Sequence, residues 1–196
     1  MVRWEPGARE RLQQAALVLF AERGFEQTTA ADIARSVGLT ERTFFRHFAD
    51  KREVLFDGQH LLAEAFRTGF EAAPAGAAPL DVVVSALRSA ADFFPDARRP
   101  YSRARQTVID QNPALQERER HKMAELAALG HEVLLGRGIA DPAATLAAET
   151  GITVFSVAFA QWIRHGENRS FAQIQTAVLD ELRSLTGSES VPVHQS

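Results

Sequence analysis

Apolar residues recur along this chain at steps of three and four and almost nowhere at steps of two, so the pattern reads as one helix after another. Leu12, Ala15, Ala16, Leu19 and Phe20 make one stripe in a helix from Pro6 to Arg23. Pro6 suits the first helical position and Gly24 a left-handed cap. In TTAADIARSVG, Thr29 stands three residues before Asp32, close to a capping box, with Ile33, Ala34 and Val37 inward and Gly38 closing the helix. Thr40 then caps a short helix in which Phe44 and Phe48 point the same way.

Asp50 can cap a longer helix from Lys51 to about Ala73, stopped by PAGAAP. Further helices are expected near Leu80–Phe94, Tyr101–Gln111, Pro113–Gly136, Pro142–His165 and Phe171–Leu185, before the polar tail TGSESVPVHQS. The fold expected is all-α, with about nine helices and no internal repeat.

Charge changes this picture only mildly. The net charge is −3, but residues 1–56 hold nine Lys/Arg against eight Asp/Glu, and residues 57–196 hold 13 against 17. The amino-terminal end is thus compatible with nucleic acid without demanding it. The absence of cysteine removes disulfides and thiolate zinc sites and fits a reducing compartment. The start is charged, and the most apolar run, ITVFSVAFAQWI, reads as too short to span a bilayer. A cytoplasmic protein with no membrane partner is expected.

Catalytic patterns are missing. There is no G-x-S-x-G, H-E-x-x-H or phosphate-binding loop, and GRG and TGS do not follow strands. His60/Glu64 and His121/Glu125 are pairs four apart, better read as surface ion pairs than as metal ligands. No catalytic residue, metal or cofactor is expected, and the chain is not read as an enzyme.

What remains is the stretch 30–48: two short helices meeting at a glycine turn, a helix-turn-helix whose second helix would enter a major groove. At 100° per residue, Phe44 and Phe48 define its inner face. Arg42 and Arg46 lie nearly opposite, flanked by Thr43 and Phe45. Two guanidiniums can reach guanine edges or phosphates, Thr43 and Phe45 a thymine methyl, and the Thr40 end a phosphate. His47 reads either as a packing residue or as a phosphate donor.

The run FEQTTAADIARSVGLTERTFFRHFADKREVLF resembles the DNA-binding region of the TetR family of bacterial transcriptional regulators, over about residues 8–56. The resemblance rests on TTAADIA, the glycine turn, T-x-x-T-F-x-x-H-F and a lysine three residues after Phe48. It implies DNA contacts at Thr29, Thr40, Arg42, Thr43, Phe45, Arg46, His47 and Lys51. The family often has tyrosine where this chain has Phe45, so a phenol contact to the backbone would be lost here.

The same resemblance implies a division into residues 1–51, binding a palindromic operator, and 52–196, binding a small-molecule effector and dimerising. Glu64, Arg88, Arg105, His121, Phe159 and Trp162 are the candidates for the effector pocket. Phe171, Ile174, Val178 and Leu182 make a stripe, and Ala147, Gly151 and Ala158 put small residues on the preceding helix. These seven could pack within the chain. The resemblance implies instead a four-helix seam between two subunits, giving a two-fold axis for two half-sites. The function so implied is that of a homodimeric repressor released from its operator by an effector.

Overall fold

The computed structural model describes residues 7–186; the expected start at Pro6 and the polar tail beyond Thr186 lie outside the described residues. Ten α-helical segments and no strand occur among them, and nine helices if the single turn α4 is counted with α5. They are α1 Ala8–Arg23, α2 Ala30–Ser36, α3 Glu41–His47, α4 Glu53–Phe56, α5 Gln59–Ala72, α6 Pro79–Ala91, α7 Arg99–Asp110, α8 Pro113–Gly136, α9 Ala143–Trp162 and α10 Phe171–Thr186. A 3-10 turn, Asp96–Arg98, precedes α7.

The early helices end where their side chains end them. Thr29 accepts from the Asp32 N–H while the Asp32 carboxylate accepts from the Thr29 N–H, each at 3.1 Å, closing a reciprocal cap. Gly38, at φ 69°, makes the turn between α2 and α3. Thr40 accepts from the Thr43 N–H at 3.2 Å. The Asp50 carboxylate accepts from the Arg52 and Glu53 N–H groups and caps α4.

The single helix expected over 51–73 is interrupted. Its first four helical residues form α4, Asp57 turns extended, and Gly58 takes φ 86° before α5 begins. The Asp57 carboxylate is held from α1, by Arg9 Nε and by the Gln13 amide, each at 2.8 Å. Gly58 alone can take the left-handed conformation at little cost, so the chain bends there.

The described residues divide into two compact units, one formed by 7–64 with Pro100–Glu125, the other by Ala65–Arg99 with 126–186. In the first, Leu12, Phe20, Ile33, Phe44, Phe56, Ile109 and Leu115 are buried in one cluster. The core beneath α3 therefore draws on α4, α7 and α8 as well as on α1 and α2.

In the second unit α6, α9 and α10 pack on one another. Phe94, Phe155, Phe159, Trp162 and Phe171 interlock, with neighbouring ring centroids 4.9–6.3 Å apart. Gly151 lies so close to α6 that a Cβ there would stand 2.5 Å from Val83 Cγ1. The apolar run 152–163 belongs to a helix of 20 residues that is, by length and composition, long enough to cross a membrane. Its contacts with α6 and α10 are those of a core helix, as one apolar helix in a packed unit commonly is.

Candidate nucleic-acid interface

α3 is anchored from below and open above. Phe44 is fully buried and Phe48 nearly so, their ring centroids 5.3 Å apart. On the other side Arg42, Thr43, Phe45 and Arg46 line one shallow depression. Both arginines are exposed, and Phe45 is 51% exposed with its ring edge-on to Phe44. Thr43 is half-buried, its hydroxyl 3.0 Å from that of Thr40, itself exposed at the helix start. Two planar guanidinium forks, a hydroxyl pair and an apolar ring on one short helix match what a base-pair edge and its phosphates offer.

The other three expected DNA contacts sit apart from that depression. Thr29 is exposed at the start of α2, its hydroxyl donating to the Asp32 carboxylate at 2.6 Å. That hydrogen bond is the main cause holding the Asp32 carboxyl below its ordinary range. His47 is half-buried, and its Nε2 has no hydrogen-bond partner among the described residues. It lines a separate cleft with Arg9, Phe48 and Asp57.

Lys51 points inward. Its Nζ donates to the carbonyls of Phe25 and Thr28, at 2.8 and 3.2 Å, and stands 4.3 Å from the Phe25 ring centroid. It precedes α4 rather than opening a long helix, and its charge meets the carbonyls that follow α1. The resemblance implies a DNA contact at Lys51; the structure shows its Nζ as a tie between the α1–α2 connection and the segment after α3.

The candidate effector residues fall in both units. Glu64 and His121 are exposed, and His121 Nε2 lies 3.3 Å from the Glu125 carboxylate, the surface pair expected of that spacing. Arg105 is buried and fully engaged: Nε donates to the Leu55 carbonyl at 2.6 Å and the guanidinium pairs with Glu119 at 2.8 Å. Burial would push the Glu119 carboxyl up, but the charges of Arg105 and Lys122 together hold it below its ordinary range. Withdrawing Arg105 to a ligand would leave Glu119 with less compensation, at a cost of several kcal/mol, about 3–5 for a broken buried pair. Phe159 and Trp162 belong to the aromatic cluster, Trp162 fully buried with its indole N–H 3.4 Å from the Asp96 carboxylate. Arg88 is exposed on α6 and lines a cavity against α10.

The candidate dimer stripe is occupied within its own chain. Ala147, Gly151, Ala158, Phe171 and Ile174 are buried, and Val178 and Leu182 are half-buried. Small residues on α9 admit α6, and the large residues of α10 fill the space between α9 and α10. What the pattern did not reveal is the opposite face of α9, where Leu146 is 64% and Val157 42% exposed. Their eleven-residue separation, three helical turns, is the signal that was available.

Two family models match the chain: one described as bacterial regulatory proteins, tetR family, over residues 12–57, and one described as the MftR C-terminal domain, over residues 77–186. The HTH-type transcriptional regulator TcmR of Streptomyces glaucescens is 43% identical over 81 residues, which is 41% of this chain and 36% of that protein. The match thus spans little more than a third of that relative. Among solved structures, Thermus thermophilus FadR, a TetR family transcriptional repressor in complex with lauroyl-CoA, is similar with TM-score 0.57 and 23% identity, over 96% of this chain and 100% of that one. A TetR-family transcriptional regulator from Syntrophomonas wolfei gives TM-score 0.66 at 16% identity, over 94% and 97%. At such identities the likeness is one of fold.

Proposed function

The chain belongs to the TetR family of bacterial regulatory proteins and is a transcriptional regulator, and from that premise we propose that it acts as a homodimeric repressor reading a palindromic operator through α3. The observation that carries this reading is the division of α3 into a buried aromatic face and an exposed one holding Arg42, Thr43, Phe45 and Arg46. A recognition helix needs both, since side chains can be held to a groove only by a helix that is itself held. Phe45 would make apolar contact with a sugar or a thymine methyl. Thr29 and Thr40 would meet phosphates at the starts of α2 and α3, and Lys51 would fix the height of α3 from behind.

The two-fold axis would come from the outer face of α9, with Leu146 and Val157 of two copies in contact. A small-molecule effector bound in the residues after α4 would favour a dimer whose two α3 helices are wrongly spaced for the operator.

The test is operator binding by Arg42→Ala and Arg46→Ala. Loss of a guanine contact should cost about 1–3 kcal/mol and relax preference at one base pair. Loss of a phosphate contact should weaken all sequences alike and lower the salt slope by about one unit. Unchanged binding by both variants would sink the assignment of α3.

A further inference from the structure

Between α6 and α10 lies a feature that neither the DNA-reading face nor the dimer seam uses. Gln175 is 3% exposed, yet its side-chain Nε2 has no hydrogen-bond partner among the described residues. A buried donor so placed has given up its bonds to water with nothing in return. Its neighbours Phe171, Ile174 and Leu179 are buried and apolar, so packing alone would be served better by leucine.

Gln175 lines a cavity of about 140 Å³ whose apolar wall is Val84, Leu87 and Ala91 of α6 and Leu179 of α10. Arg88 and Arg183 also line it, against one carboxylate, Asp92. The two arginines and Val84 line an adjoining hollow of about 620 Å³, which reaches the 74–77 loop. Arg183 is paired with Asp180 at 3.1 Å. Arg88 forms no ion pair or hydrogen bond among the described residues. An apolar wall, one buried donor without an acceptor and one cation without an anion among the described residues thus converge on the same space.

We propose that the α6–α10 cavity binds a small amphipathic acid. Its short apolar body would rest on Val84, Leu87, Ala91 and Leu179. One of its oxygens would accept from the Gln175 amide, and its carboxylate or phosphate charge would meet Arg88. The small volume admits only a short body, and anything longer runs out into the outer hollow. The aromatic cluster around Phe94 and Trp162 is filled by its own rings and is not part of this site.

Hexanoate and hexyl phosphate, with hexanol as the neutral match, are titrated into the isotope-labelled full chain while the Gln175 side-chain amide resonance is followed. Saturable shifts with either acid are expected, and the stronger of the two names the acid. Arg88→Gln should weaken binding by about tenfold or more, as loss of a charge-assisted contact does. Gln175→Leu, followed through the backbone amides of Leu87, Ala91 and Leu179 instead, should lose the saturable shifts with the acid while keeping or raising the melting temperature. Arg88→Gln changes an exposed side chain, so it remains decisive should the buried variant fail to fold. An equal response to hexanol, no saturable shift, or unchanged affinity in Arg88→Gln overturns the site. A chain that binds hexanoate but no DNA would sink the operator reading and leave this cavity standing.

Discussion

α3 and α9 both divide into an inner and an outer face, but not by the same rule. In α3 the large apolar rings of Phe44 and Phe48 go in and the arginines stay out, as amphipathic contrast alone would have it. In α9 five small residues, Ala144, Ala147, Ala148, Gly151 and Ala158, go in beside Val154, Phe155 and Trp162, while the apolar Leu146 and Val157 stay exposed. The difference lies in what each helix meets. α3 closes over a core with room for rings; α9 meets α6 so closely that even a methyl at Gly151 would stand 2.5 Å from Val83 Cγ1. Burial in an all-round apolar helix is set by how near its neighbour comes, not by which residue is most hydrophobic.

The comparison breaks most visibly on the inner face of α3. Phe44→Ala should cost about 3–5 kcal/mol of stability, measured by urea denaturation, because the ring touches a core that cannot collapse around the gap. A loss below about 1 kcal/mol would mean that the ring is not the anchor of the reading helix.

The inner face of α9 should respond to a far smaller change. By helix propensity, Gly151→Ala would stabilise by about 1 kcal/mol. The contact with Val83 should outweigh this, because the β-branched side chain has few rotamers to retreat into and overpacking costs about 1–3 kcal/mol. The expected result is a net destabilisation. An increase in melting temperature would show α6 and α9 to be farther apart than the Gly151–Val83 distance implies.

These two helices also mark how far the sequence could be read. Around α3 the caps at Thr29 and Thr40, the Gly38 turn and the four-residue spacing of Phe44 and Phe48 are local signals, and each has its structural counterpart. The break at Asp57 and Gly58 was not legible, because the apolar stripe runs on through it and one glycine within a helix costs only about 1 kcal/mol. What decides it is Arg9 and Gln13, more than forty residues upstream, holding the Asp57 carboxylate. The inward partners of Lys51 and Arg105 were not legible for a related reason. A lysine or arginine in a sequence carries no mark of whether its charge meets water, the Phe25 carbonyl or the Glu119 carboxylate. Gln175 gave no signal at all, since a glutamine on an amphipathic helix ordinarily faces solvent.

The outer face of α9 offers the smallest effect on the fold and the sharpest one on assembly. Leu146→Ser with Val157→Ser removes two exposed apolar side chains, and exposed changes of this kind leave a protomer's own stability within about 0.5 kcal/mol. If this face is the seam between subunits, the same pair should shift sedimentation from dimer toward monomer, because an isologous contact loses each side chain on both partners. The loss of apparent stability should then depend on protein concentration, as it must when association and folding are linked. Operator affinity should fall with dimer content, although neither side chain is part of α3. A double variant that sediments as a dimer, indistinguishable from the parent, would remove α9 from the seam and leave the exposure of Leu146 and Val157 without a role in assembly.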